Sequence, residues 1–270
     1  MVLHYTVIDP TKNITLLVTT PVQRELQSQT AAWLLRHEKD AEQVGFLEPS
    51  ASGFTPRLQM MGGEFCGNAT MGLGAWLCRR NGLERDVTHS FSLEISGADR
   101  LVPCSVTPVS HGYLATVDMP LPEKIENRSF PTPGSSVQLT TVFLPGICHI
   151  IAPQELVCRS EAESLLRHWS SDLPGEAVGL ILLDEARTTI DPLVYVKPTE
   201  TAVWERGCGS GSAAVACYLT AKRRAAQCLS IRQQGGTIAA VTAWDGSTVS
   251  SLQITGSVAL LGEKSVDVIF

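Results

Sequence analysis

The sequence predicts an α/β protein of two pseudo-symmetric domains, each a β-sheet or barrel wrapped around one central helix. Three observations lead there. The chain carries an internal repeat, short β-rich runs alternate with helical spacing in both halves, and two segments are apolar on every side of a helix.

The repeat is clearest where Cys66-Gly-Asn-Ala-Thr-Met-Gly-Leu-Gly-Ala-Trp-Leu77 aligns without gaps on Cys208-Gly-Ser-Gly-Ser-Ala-Ala-Val-Ala-Cys-Tyr-Leu219, 142 residues later. Cys-Gly opens both, a hydroxyl residue stands fifth, an aromatic eleventh and Leu twelfth. Three weaker echoes keep the same order, and with the first the offsets run from 134 to 142 residues. Glu42-Gln-Val-Gly-Phe-Leu47 resembles Glu176-Ala-Val-Gly-Leu-Ile181. Leu93-Glu-Ile95 before Ser96-Gly97 resembles Leu229-Ser-Ile231 before Gly235-Gly236, and Asn13-Ile-Thr-Leu-Leu-Val18 resembles Cys148-His-Ile-Ile-Ala152.

In the first half, residues 5–8, 14–18, 44–47 and 102–106 are β-rich runs bounded by Pro, Gly, Asn or Asp. The second half has 141–144, 147–151, 178–183 and 193–196. Residues 23–36 have helical spacing, with Leu26, Trp33 and Leu34 on one side, and 155–169 form a similar helix. Residues 68–80 and 210–224 are the expected central helices. The Pro-, Ser- and Thr-rich stretch 119–136 is expected to link the domains. The expected domains are 1–118, completed by the returning strand in 257–270, and 119–256.

The length of 270 residues suits two domains, and 44% hydrophobic with 18% charged residues is a globular composition. A net charge of −6 without a basic stripe argues against nucleic acid and anionic membrane as partners. Residues 1–10 lack the basic start and apolar run of a signal peptide, and no apolar run is long enough for a bilayer, so a cytoplasmic location is expected. Eight cysteines occur with no C-x-x-C pair. Most are expected to be inert buried hydrophobes.

Cys66 and Cys208 stand apart. Each precedes Gly, small polar residues and an apolar helix, which is the composition of a helix start. A helix N-terminus carries partial positive charge and N–H groups without intrahelical acceptors. These favour a thiolate and can also hold a carboxylate. If the two helix starts converge, one thiolate can remove the α-proton of an amino acid while the opposite thiol protonates the other face. Taken singly, either cysteine reads as packing; their equivalent places in a duplicated chain point to chemistry. Neither a P-loop nor a G-x-G-x-x-G is present.

Gly63-Glu-Phe-Cys-Gly-Asn-Ala-Thr-Met71 and Glu205-Arg-Gly-Cys-Gly-Ser-Gly211 resemble the two active-site signatures of the diaminopimelate epimerase superfamily. The resemblance covers nearly the whole chain, including Asn13, Val117-Asp-Met119 and Gly146-Ile-Cys-His149. It implies two pseudo-symmetric α/β domains and a metal-free mechanism, independent of pyridoxal phosphate, with Cys66 and Cys208 as the two bases and no cofactor. Within the superfamily the chain is most similar to the histidine racemases of opine-type (staphylopine-type) metallophore biosynthesis. A small amino-acid substrate, D-histidine as product and a homodimer are the corresponding expectations. Departures from the true epimerase agree with this. Glu205-Arg-Gly207 abuts Cys208, Ile147 stands where the epimerase has Asn, and an Asn is replaced near Pro192. Those groups grip the distal end of diaminopimelate, and losing them leaves that polar end unpaired.

Asn68 and Ser210 are expected to present N–H groups or side chains to the α-carboxylate, with Gly67, Gly209 and Gly211 allowing close backbone approach. Glu205 is the candidate partner of the substrate ammonium, against the alternative of a surface charge. Asn13 either binds substrate or closes a turn. Glu42 or Gln43 is placed to bind an imidazole N–H, with Glu42 otherwise an exposed charge. His149 either lines the site or is a satisfied core residue. Arg206 holds a substrate acid or a nearby carboxylate. Competing readings are diaminopimelate epimerase, a racemase of another amino acid, a phenazine-pathway-like isomerase (disfavoured by the cysteine pair), and a ligand-binding protein on a retired enzyme fold.

Overall fold

A computed structural model describes residues 1–51, 53 and 55–268. The chain divides into two compact units. Met1–Asp118 and the segment from Thr255 onward form the first, and Met119–Ile254 the second.

The first unit runs β1 (Val2–Pro10), β2 (Thr15–Val18), α1 (Arg24–His37), β3 (Gln43–Glu48), β4 (Arg57–Met60), α2 (Gly67–Arg80), β5 (His89–Leu93), β6 (Val102–Val109) and β7 (Gly112–Asp118). β2 and β3 pair in parallel, Thr15 on Gln43 through Val18 on Phe46. A parallel pair needs a crossover, and α1 supplies it. Its Ala31 and Leu34 pack on Leu3, Leu16, Val44 and Phe46. The C-terminal strand adds alongside β1, from Pro10 on Val258 to Val2 on Asp267. The sheet order is β4-β3-β2-β1, then the C-terminal strand, then β7-β6-β5. A parallel bridge from Leu58 to Ile95 joins β4 to the residues after β5, so the sheet curls back on itself. α2 packs on β1, β6 and β7, and its residues from Gly67 to Cys78 are all buried.

The second unit runs β8 (Lys124–Thr132), β9 (Ser135–Leu144), β10 (Ile147–Pro153), α3 (Arg159–Ser170), β11 (Ala177–Asp184), β12 (Thr189–Val196), β13 (Thr201–Trp204), α4 (Gly209–Arg223), β14 (Gln227–Gln233), β15 (Gly236–Trp244) and β16 (Val249–Asp267). Residues 249–254 of β16 belong here and the rest to the first unit. The order is β8-β9-β10-β11-β12-β14-β15-β16, with β13 on β12. β10–α3–β11 is again a parallel crossover. α3 buries Ala162, Leu166 and Trp169, and Trp169 donates Nε1–H to the Pro131 carbonyl at 2.7 Å. α4 packs on β9, β10, β14 and β15. The four sequence echoes therefore fall on matching elements: β2 with β10, β3 with β11, α2 with α4, and β5 with β14.

Three local expectations differ from the structure. Residues 119–136 are mostly strand: β8 pairs with β9 from Lys124 on Phe143 to Thr132 on Ser135. Phe130 anchors it in the core, 5.0 Å from the Trp169 ring, and that burial outweighs the Pro and Ser content. α3 starts at Arg159, not 155, because the chain first turns to bury Val157 and enters the helix from an extended Cys158. The last strand starts at Val249, ahead of 258, and residues 269 and 270 lie outside the described residues. Among the described residues, no helix is long and apolar enough to cross a membrane.

The small residues of α2 let it approach the surrounding sheet. A Cβ on Gly74 would stand 2.7 Å from Val106 Cγ2 and 2.9 Å from Cys104 Sγ. Val106 is β-branched and fully buried, so it cannot swing away. Gly74→Ala is expected to lower stability by about 1 kcal/mol, overpacking exceeding the gain in helix propensity. A lower urea midpoint with an unchanged slope checks this.

Candidate active site

Cys66 is the N-cap of α2, with extended φ −130° and ψ 109°. Its Sγ accepts the Ala69 N–H at 3.4 Å and donates to Gln43 Oε1 at 2.9 Å. Thr70, the fifth residue of the repeat, donates Oγ1–H to the Cys66 carbonyl at 2.7 Å. Gln43 opens β3, one residue after Glu42. Glu42 accepts from Asn13 Nδ2 at 2.6 Å and anchors its own N–H on the Ile14 carbonyl. Asn13 is fully buried in the β1–β2 turn, where Thr11 and Lys12 take positive φ. Asn13 thus lies in the turn, and its side chain holds the Glu42 carboxylate. Gly67 and Asn68 are the first two residues of α2 and are buried.

Cys208 is the N-cap of α4, with φ −96° and ψ 107°. Its Sγ accepts the Gly211 N–H at 3.2 Å and lies 3.5 Å from Ser210 Oγ. Ser212, again the fifth residue, donates to the Cys208 carbonyl at 2.8 Å. A Cβ on Gly211 would stand 3.0 Å from Cys208 Sγ and 2.9 Å from Ile181 Cδ1, so close approach of the helix requires glycine there. Burial, then the charge of Glu205 and its hydrogen bond, push the Cys208 thiol well above its ordinary value, while Ser210 and Gly211 pull it down. Glu205 is itself held by its N–H on the Pro192 carbonyl, and the Arg206 carbonyl accepts from Gly235. Gly209 and Ser210 open α4.

His149, in β10, is fully buried and places Nε2 3.0 Å from Ser210 Oγ. Burial pushes its imidazole down to about 3, so the ring is neutral. The structure thus gathers Asn13 with Glu42 and Gln43 with Cys66, and separately His149, Ser210, Glu205 and Cys208.

Sequence reasoning missed two supports. Gln233 accepts the Cys208 N–H at 2.6 Å and donates to Ser212 Oγ at 2.8 Å. Ser96 donates to the Glu64 carbonyl at 2.8 Å and so steadies the approach to Cys66. Glu64 itself is half-buried, and that burial raises its carboxyl pKa against two backbone hydrogen bonds. Gln233 and Ser96 flank the repeated strands at Leu229 and Leu93, but only the folded chain aims them at the helix starts. Of the other cysteines, Cys78 and Cys148 are pushed up to about 11 and Cys104 and Cys217 to about 12 by burial, as inert packing residues are. Among the described residues, no three His, Cys, Asp or Glu side chains cluster to hold a metal.

Residues 2–266 match the model of the histidine racemase CntK N-terminal domain family. A histidine racemase of Staphylococcus aureus is 27% identical over 244 residues, covering 88% of this chain and 87% of the relative. A histidine racemase of Fusobacterium nucleatum is 28% identical over 234 residues, 81% of each chain. Among solved structures, a hydroxyproline epimerase from Agrobacterium vitis with bound trans-4-hydroxy-L-proline superposes with a TM-score of 0.73 at 14% identity, covering 98% of this chain and 92% of that one. That likeness extends the shared fold to racemases and epimerases of distant sequence. The chain belongs to the histidine racemase CntK N-terminal domain family and is a racemase of the isomerase class.

Proposed function

We propose that this racemase interconverts L- and D-histidine with Cys66 and Cys208 as its two acid–base groups, without metal or organic cofactor. The observation that carries the reading is the matched pair of helix starts. Each thiol caps a buried helix through the N–H three residues on, and a hydroxyl four residues on holds its carbonyl. One thiolate takes the proton from the substrate α-carbon and becomes a thiol. The other thiol delivers its proton to the opposite face and becomes the thiolate, which inverts the centre and balances charge. The carbanion formed between these steps needs electrostatic stabilisation. Backbone N–H groups at residues 67, 68, 209 and 210 can supply it by binding the α-carboxylate at the positive ends of α2 and α4.

In the same reading Glu205 pairs with the substrate ammonium, and Glu42, oriented by Asn13, accepts an imidazole N–H, with Gln43 beside it. Arg206 stands by the substrate carboxylate. The resemblance to metallophore-pathway racemases supports a cytoplasmic homodimer whose D-histidine feeds a metal-scavenging metabolite. The S. aureus and F. nucleatum relatives, by their names, support histidine as the substrate.

Incubation with L-histidine in D₂O is expected to erase the α-proton NMR signal while D-histidine appears on chiral chromatography. Silence with histidine but exchange of another amino acid would reassign the substrate. Cys66→Ser and Cys208→Ser are each expected to lower kcat/KM about 100-fold or more with folding intact by circular dichroism. Full activity in either removes the two-thiol mechanism. Glu205→Gln takes a negative charge from beside Cys208, so the thiolate becomes easier to form. The pH midpoint for alkylation of Cys208 by iodoacetamide, followed by peptide mass spectrometry, should move down; an upward shift contradicts the assigned contact.

A further inference from the structure

His149 and Ser210 form a fixed path to Cys208. In the parallel β10–β11 pair, His149 stands beside Gly179. A Cβ on Gly179 would fall 2.0 Å from His149 Nδ1 and 2.6 Å from Cε1, so the imidazole fills the space that any side chain at 179 would need. The ring has no exposed surface, and among the described residues its buried Nδ1 has no hydrogen-bond partner. Its Nε2 meets Ser210 Oγ at 3.0 Å.

This geometry settles the direction of the hydrogen bonds. A neutral imidazole carries one N–H. On Nδ1 it would be a buried donor without an acceptor, which is rarer and costlier than a buried acceptor left without a donor. The proton therefore sits on Nε2 and is donated to Ser210 Oγ. That interaction occupies an acceptor site of the hydroxyl and leaves its own proton to donate elsewhere. Among the described residues, the other hydrogen-bond contact of Ser210 Oγ is Cys208 Sγ at 3.5 Å.

We propose that His149 is a positioning residue that turns the Ser210 hydroxyl into a hydrogen-bond donor to the Cys208 sulfur, with Gly179 as the notch that seats the ring. The proposal rests on Cys208 being an acid–base thiol of the reaction. Ser210 and the Gly211 N–H then favour the thiolate against burial and Glu205, the charged group that bears on this sulfur. His149 stays neutral throughout and acts by direction alone. It works through Ser210 without touching the substrate, and Ser210 leaves the carboxylate to its backbone N–H.

The test is the rate of Cys208 alkylation by iodoacetamide, read by peptide mass spectrometry between pH 6 and 10 in the intact protein. Ser210→Ala and His149→Leu are expected to raise the midpoint by about one pH unit, the scale of a hydrogen bond to a charged group. The rate at pH 8 should fall about fourfold, less than the loss of thiolate because the remaining thiolate is more nucleophilic. His149→Gln keeps an N–H donor at similar reach and should restore most of the rate. The double variant Ser210→Ala/His149→Leu should behave as Ser210→Ala alone, since one path is cut only once. An unchanged rate in Ser210→Ala, or single effects that multiply in the double variant, would overturn the proposal. If His149→Leu does not fold, Ser210→Ala and His149→Gln carry the test. A wild-type Cys208 that resists the reagent at every pH would instead sink the two-thiol reading.

Discussion

A cysteine sulfur that caps its own helix is the interaction on which the rest depends. Ser, Thr, Asp and Asn are the ordinary N-caps, and their oxygens accept the N–H of the first turn better than sulfur does. Here both caps are Cys, with the sulfur accepting from Ala69 in one unit and Gly211 in the other. The helix gives up some capping strength and gains a thiol fixed at its positive end. The hydroxyls of Thr70 and Ser212 return part of that loss by holding the cysteine carbonyls. Departure from a local rule at two equivalent positions is what a functional constraint looks like.

A capped thiol is useful only if the helix behind it cannot move. Sheet strands surround both helices, and the small residues of α2 and α4 let the strands close on them. The polar supports do the same for the loops that lead in. Gln233 ties both the N–H and the carbonyl of Cys208, and Ser96 ties the Glu64 carbonyl ahead of Cys66. Such buried polar groups are stabilising only when they are satisfied, which is why each lands on a backbone atom.

The two helix starts share a backbone but not a setting. Cys66 donates to the amide oxygen of Gln43 and accepts the Ala69 N–H. Cys208 meets the Gly211 N–H, the Ser210 hydroxyl and the Glu205 carboxylate, so opposing effects act on it. Racemisation treats two mirror-image substrates of equal energy, yet a chiral protein need not present them with equivalent groups. The two repeats share the cap and differ in its neighbours.

The α/β class and both central helices were legible because they rest on local signals: a gapless repeat, small polar residues before an apolar run, and burial on all sides. Those signals act within a few residues and survive without the rest of the chain. The strand β8 and the start of α3 were not, because Phe130 and Val157 override local composition by entering a core that other segments build. The same holds around the candidate site. Sequence alone singles out Cys66 and Cys208 and the hydroxyl that follows each. Only the tertiary structure decides that Gln43 faces Cys66, that Gln233 braces Cys208 and that His149 turns to Ser210, because each contact joins residues 21 or more positions apart whose meeting is set by strand register and burial, not by spacing.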